Sequence, residues 1–569
     1  MKKKLLATGV AVALGALSGV ASAALAVNAT GVGSINVIPY YSVQGGNDTL
    51  LSIVNTDTVN GKAVKVRFRG AEWSDDVFDF QIFLSPGDVW TGGVTKNGNL
   101  AKMITNDSTC TLPENINQDF VPIRLQASKQ NVGTLEGYVE IITMADIAPP
   151  AGANALWVES NPTGPTATAG VNTLYSVIKH PQNGKPACRT STAAAAVLRG
   201  LVQDNYLVAS SSADQLTWMN PPTPALTSYA TIINVPTARA FTNVATAVTW
   251  TVAGVKQYFR QANELLPFEA NLTADRIFAP VVSVANPTAG ALNPTTTAAG
   301  VNDLGANVPM YQFDMPDLST PHDTDYTTTL STDYDGLPGI QLGTSQAALA
   351  QRDALAALLG KSGIISEYVT SDTIGASTDI VISQPIRRYF YEYRLADTSG
   401  NANNGHLTLN SSNQRFFVAG PSKTPNGATV AFAATPYGGL DGATNRIQVG
   451  APTFFDREEN TAVSSDDIVI SPTPPTTVGT YSLMGEVSVI SINNGGDTVT
   501  EALSASLTIN DYTAPQQFRD GWVALSTVPA TPAGQKLPVL GFTAINIVNM
   551  GVGSNGTNYG MSVPQRYIP

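Results

Sequence analysis

The sequence predicts a mainly β protein: antiparallel, sandwich-like sheets with long loops and one or two short helices. Three observations carry this. Five runs, 32–41, 49–56, 62–69, 77–84 and 88–95, alternate strand formers with polar residues, and Gly, Asn, Asp and Pro sit between them. Forty-nine glycines and 36 prolines punctuate the chain, leaving few stretches long enough for a helix. Only 346–359 has clear helical spacing: Ser345 can cap it, Ala348, Leu349, Leu355, Ala356 and Leu359 form the apolar stripe, and Gly360 can close it.

Taken in order, Lys2, Lys3 and Lys4 precede an apolar run over 5–20 and then Ala21-Ser22-Ala23. A basic start, a short apolar stretch and small residues at −3 and −1 read as a secretory signal peptide over 1–23, with Ala26 a rival cleavage site. The apolar run falls short of the ~20 residues needed to span a bilayer, so no transmembrane segment is expected once the signal is removed. The expected location is exported: cell surface or extracellular, with the periplasm as the other compartment. The signal holds three of the 31 basic residues, so the remainder carries 28 against 43 acidic residues, a formal −15. That balance, with no basic stripe interleaved with aromatics, argues against a nucleic-acid partner.

The first five runs form an N-terminal β domain over 24–148, read as a meander with one dry face and completed by strands at 118–127 and 135–144. Residues 148–170, with Pro149, Pro150, Pro162 and Pro165, mark an irregular crossing in which Trp157 is a core anchor. The rest, 149–569, reads as a larger β-rich domain or two packed β subdomains. It holds a short helix at 190–198 and strands at 205–210, 229–235, 245–255, 363–370, 379–382, 429–434 and 446–449. A last group lies at 483–492, 502–509, 522–526 and 539–549, followed by a polar, glycine-rich tail. Outer-membrane barrels need strands of about ten residues with aromatic girdles, which these shorter, proline-interrupted runs do not match.

The two cysteines, Cys110 and Cys188, read as a disulfide in an oxidising compartment, worth roughly 4–5 kcal/mol in the chain-entropy account. The competing reading is two buried thiols; a metal site would need further ligands, and His180 is the only imidazole nearby. The oxygen ligands of Asp314, Asp317, Asp323, Asp325, Asp333 and Asp335 suit a structural Ca²⁺, against the plainer reading of a solvated acidic loop. Arg387 to Arg394 is the most charged and aromatic run. Within it Arg388, Tyr389, Tyr391 and Tyr393 form a candidate surface for a glycan or a neighbouring subunit, the alternative being a central strand with inward tyrosines and paired charges. The three histidines, His180, His322 and His406, stand in no metal spacing, and there is no Gly-x-Ser-x-Gly elbow. Asp75-Asp76, Asp456 and Glu458-Glu459 are acid pairs only in the sense that any acids could be. No catalytic residue is assigned, and the sequence leans away from an enzyme.

Several landmarks together resemble an uncharacterised group of exported proteobacterial cell-surface proteins. They are the meander at 37–95, Ser108-Thr109-Cys110-Thr111-Leu112-Pro113, Glu136-Gly137-Tyr138-Val139-Glu140, the stretch from Lys179 to Cys188, the 378–394 run, Gly521-Trp522-Val523 and Val539-Leu540-Gly541-Phe542. The resemblance implies export, pairing of the two cysteines and a role at the cell outer membrane surface, and it carries no catalytic residues. The expected function is a secreted or cell-surface structural protein that self-associates as a surface layer or joins the envelope surface. An adhesin or carbohydrate-binding module, with Trp218 and Trp250 beside the tyrosines, is the alternative, and a secreted hydrolase stands third.

Overall fold

The computed structural model describes residues 26–150, 173–202, 219–249, 355–395, 415–458, 480–493 and 501–568, apart from short internal stretches. The structure is mainly β, with several antiparallel sheets, long loops and few short helices. In the N-terminal half the strands are β1 (Ala26–Val27), β2 (Ile35–Ser42), β3 (Asn47–Asn55), β4 (Gly61–Gly70), β5 (Asp76–Leu84), β6 (Val89–Asn97), β7 (Leu100–Ile104), β8 (Cys110–Leu112) and β9 (Glu136–Ile147). Four more return from later in the chain: β10 (Met219–Asn220), β11 (Leu226–Asn234), β12 (Arg239–Val244) and β13 (Thr246–Thr249).

These strands divide between two sheets. An eight-stranded sheet runs β1-β13-β2-β9-β4-β5-β8, with β10 also on β9, and a five-stranded sheet runs β12-β11-β3-β6-β7. The five opening runs are therefore strands, but they do not form one meander, because β3 and β6 cross to the second sheet. Between the sheets lies a core of alternate residues, among them Ile38, Val64, Val66, Phe68, Val139 and Ile141 from one side and Leu51, Ile53, Trp90, Val94 and Ala230 from the other. Phe78 stacks on Phe120 within it, 4.8 Å between ring centroids.

The C-terminal half has two larger sheets beside several two- and three-stranded ones. The strands of the two larger sheets are β14 (Gly363–Val369), β15 (Ala376–Ser383), β16 (Thr453–Phe455), β17 (Val487–Asn493), β18 (Ile509–Thr513), β19 (Asp520–Ser526), β20 (Leu540–Asn549), β21 (Thr557–Pro564) and β22 (Arg566–Ile568). A four-stranded sheet runs β16-β19-β14-β22 and a five-stranded one β18-β17-β15-β20-β21. The outer face of the eight-stranded sheet packs here: Ile35, Tyr138, Ile142 and Met144 share one apolar cluster with Ile380, Val489, Leu525 and Phe542.

Cys110 and Cys188 are bonded, with Cα atoms 6.0 Å apart, tying edge strand β8 to the turn at Ala187–Arg189. That turn leads into helix α2 (Thr192–Val202), near the helix expected at 190–198, and α1 (Thr173–Ile178) packs beside it. Of the helix expected at 346–359 only 355–359 falls among the described residues, and it is helical. The run 483–492 is broken in two because Gly485, at φ +72°, turns the chain where a Cβ would lie 2.8 Å from the carbonyl oxygen of Ala71. The polar tail holds β21 and β22, which pair with apolar partners β20 and β14. No helix among the described residues is long and apolar enough to cross a membrane.

Candidate functional site

The densest chemistry sits where the two halves meet. Strand β4 sends Val64, Val66 and Phe68 into the sandwich, so its alternate residues Lys65, Arg67 and Arg69 leave from the other face. All three are essentially inaccessible. Register sets Asp79 and Glu140 on either side of Arg67. Glu140 Oε2 lies 3.3 Å from Arg69 Nε and 3.8 Å from Arg67 Nη1, and Lys65 pairs with Asp79. The network continues into the C-terminal half. Ser74 bonds both Tyr138 and Glu486, Tyr138 donates to the Pro385 carbonyl at 3.1 Å, and Arg387 pairs with Glu486 and donates to Asn445. Charges buried this way persist only when paired and hydrogen-bonded. Arg67, Arg69, Glu140, Arg387 and Glu486 leave no more than 1% of their side chains exposed, so this seam offers a substrate no entry and acts as a join.

A second join is made by two buried carboxylates on residues 501–508. Glu136, opening β9, accepts from the backbone amides of Ser506, Leu507 and Thr508 and from the Thr508 hydroxyl, at 2.8–3.0 Å. Asp379 on β15 accepts from the Leu503 amide at 2.7 Å and the Ser491 hydroxyl at 2.8 Å. Asn47 and Arg239 add bonds to the carbonyls of Leu503, Glu501 and Ala502. These amides are used by side chains, so 502–508, expected as strand, is an arch, and the ladder starts only at β18. Burial raises the pKa of Glu136 against the lowering by its donors, and pushes Asp379 up to about 6.

The accessible feature of the N-terminal half is the outer face of its five-stranded sheet. Register lines up Thr242, Thr231, Leu50, Gly93 and Ile104 in one row and Val244, Tyr229, Ser52 and Thr91 in the next. Leu50, Tyr229, Ile104 and Val244 are 44–64% exposed. Leu50 and Ile104 close over Gly93, where a Cβ would sit 3.4–3.5 Å from both, and the hydroxyls of Thr231 and Thr242 bond at 2.9 Å. Two charged side chains belong to these rows. One register step beyond the Thr49–Val94 and Val94–Met103 pairs, Asp48 and Lys102 flank Thr95 from opposite sides.

Of the residues singled out from sequence, Asp314, Asp317, Asp323, Asp325, Asp333 and Asp335 lie outside the described residues, as do Arg388, Tyr389, Tyr391, Trp157, Trp218, Trp250, His322 and His406. Tyr393 falls in a short strand, Glu392–Leu395, opposite Phe417. His180 lies with Nε2 3.6 Å from Asp88. Asp456 accepts from the Glu458 amide, an ordinary turn. Among the described residues no three His, Cys, Asp or Glu are grouped to hold a metal. Sequence reasoning missed Glu136, Glu140, Asp379 and Leu50. The available signal was the three cations of β4 facing acids on neighbouring strands. Compared with known proteins, the chain matches no family model, no curated protein and no solved structure.

Proposed function

We propose that this is an exported structural protein of the cell surface that associates with copies of itself through the outer face of the five-stranded N-terminal sheet. The observation that carries the reading is the layout of that face. A two-fold axis along β6 exchanges the positions of β3 and β7, so Leu50 of each copy meets Ile104 of the other and Asp48 meets Lys102. Such self-complementarity is what an isologous contact requires. Strand spacing sets the two charges roughly 10 Å apart, on either side of the axis. Exposed apolar and hydroxyl side chains with few charges among them, Asp48, Lys102 and the Asp107 carboxylate beside Thr91, fit the core of a protein–protein contact. The leader expected over 1–23 and the few charged residues of the chain support a place outside the cytosol.

The test is sedimentation and electron microscopy of the purified chain over a range of concentrations, with calcium and with chelator. Dimers, or larger assemblies built from dimers, are expected, and Leu50→Arg or Ile104→Arg should disperse them to monomers. Asp48→Lys alone should weaken association, and adding Lys102→Asp should restore it. Monomers at every concentration in both conditions overturn the reading. Loss of assembly on chelation would bring the 314–335 acids into it as a calcium site.

A further inference from the structure

The four-stranded sheet of the C-terminal half presents a face of different chemistry. Pairing of β16 with β19 sets Phe455 opposite Trp522, and the two rings stack with centroids 3.8 Å apart and planes within 5°. Trp522 is 37% exposed, although its strand neighbours Val523 and Leu525 are buried. Free aromatic pairs favour offset or edge-on arrangements, so a near-parallel stack at this separation is imposed by the scaffold. Gly521 explains how. At φ +148° it brings β19 so close to β16 that a Cβ would fall 2.0 Å from the carbonyl oxygen of Phe455. Polar groups surround the slab on the same face. Glu367 stands opposite Trp522 on β14, Arg566 stands opposite Ile365 one row away, and Arg457 and Asp520 pair at 2.9 Å beside it.

We infer that this face is a carbohydrate-binding site, with the Phe455–Trp522 slab taking the apolar C–H face of a hexopyranose and Glu367 and Arg566 meeting its hydroxyls. A rigid aromatic surface with a few polar groups around it is the usual make-up of a small-ligand site. The denser charged rim, with Glu367, Arg457, Asp520 and Arg566, separates this face from the mainly apolar and hydroxyl rows of Leu50 and Ile104, and suits a ligand carrying many hydroxyls better than an apolar protein surface. The ligand class is a chain of equatorially substituted hexopyranoses, whose ring faces are flat and apolar. The inference is independent of the self-association reading.

Calorimetry of the full chain with cellohexaose and with chitohexaose tests it, alongside retardation on gels containing soluble polysaccharide. Binding of at least one oligosaccharide is expected, about tenfold or more weaker in Trp522→Ala, as for loss of a central aromatic anchor. Trp522→Tyr should keep most of the affinity, and Glu367→Gln should lose part of it. Trp522 is only 37% exposed and stacks on Phe455, so Trp522→Ala should lower the thermal midpoint, and its binding is read well below that midpoint, with Trp522→Tyr, which keeps a stacked ring, as the control for folding. Absence of binding at millimolar sugar overturns the inference, and so does equal binding by Trp522→Ala. If Trp522→Ala alters the oligomeric state and not sugar binding, the slab is a protein contact and the inference fails.

Discussion

The two faces of the eight-stranded sheet are equally dry and are built on opposite principles. One carries Val64, Val66, Phe68, Val139 and Ile141 into the sandwich core. The other carries Lys65, Arg67, Arg69 and Glu140 against the C-terminal half, just as buried. An apolar face gains from area and shape, and tolerates exchange of one hydrocarbon for another of similar volume. A buried charged face gains little net energy and fails when a single partner is lost. The N-terminal sandwich is held by bulk burial, whereas its join to the C-terminal half adds to an apolar cluster around Ile35, Tyr138, Ile142 and Met144 a set of buried charges that need specific partners.

The largest expected effects would break this comparison outright. Glu140→Ala removes the carboxylate that Arg67 and Arg69 share, leaving beside Arg67 only Asp79, which already pairs with Lys65, and should cost about 3–5 kcal/mol in chemical denaturation. Phe68→Ala on the opposite face should cost a similar ~3–5 kcal/mol, through a cavity. The faces should differ on repair. Replacing Arg67, Arg69 and Glu140 together by apolar residues of similar volume should recover most of the loss. If Glu140→Ala unfolds with the parent's midpoint, the seam is not holding the halves.

Glu136→Gln keeps one acceptor but turns a donor toward the amides of 506–508, with an expected cost of about 2–3 kcal/mol. Hydrogen exchange should place the change locally, as faster exchange at Ser506, Leu507 and Thr508 while the β3 and β6 amides stay protected. Unchanged exchange at the arch would show that the carboxylate does not hold it.

A smaller effect is expected from pH. Burial lifts Asp379 to about 6, outweighing its hydrogen bonds and the attraction of Arg239. The folded state therefore holds this proton more tightly than the unfolded chain. Its contribution is full below about pH 4 and is lost as pH rises through about 6. Asp57 runs the other way: partial burial is outweighed by hydrogen bonds from Asn60, Lys62 and Val59, so its contribution is lost only in more acid solution. Urea midpoints of the parent should fall between about pH 4 and 6, and those of Asp379→Asn should fall less. Parallel curves would remove Asp379 from the account. Least of all should come from Arg457→Ala, which breaks an exposed pair with Asp520 and should cost under about 0.5 kcal/mol.

The strand runs of β2 to β6 were legible because period-two alternation with turn residues between is a local signal. Pairing of Cys110 with Cys188 was legible from chemistry alone. The sheet that each strand joins was not, since crossing from β2 to β3 leaves the same alternation in the sequence. The seam was hidden for a related reason. Lys65, Arg67 and Arg69 alternate with apolar residues just as solvent-facing side chains would, and only the C-terminal half decides that they are covered. Residues 502–508 carry strand-like residues, yet their amides were claimed by Glu136 and Asp379, more than a hundred residues away in sequence. Phe455 and Trp522 are 67 positions apart, so their stack exists only through the pairing of β16 with β19.

The place of β22 sets the timing of folding. Arg566–Ile568 completes the sheet beside β14, and β20 and β21 complete the other C-terminal sheet. Synthesis proceeds from the amino end, so β14 must wait nearly two hundred residues for β22, and β15 about 160 for β20. The N-terminal sandwich closes once β11 and β13 have been made, and its charged face then stands uncovered until the late strands arrive. Those cations and acids, paired with one another across β4, β5 and β9, keep the waiting surface wet and discourage premature sticking, a benefit that a hydrocarbon surface in the same position would not give.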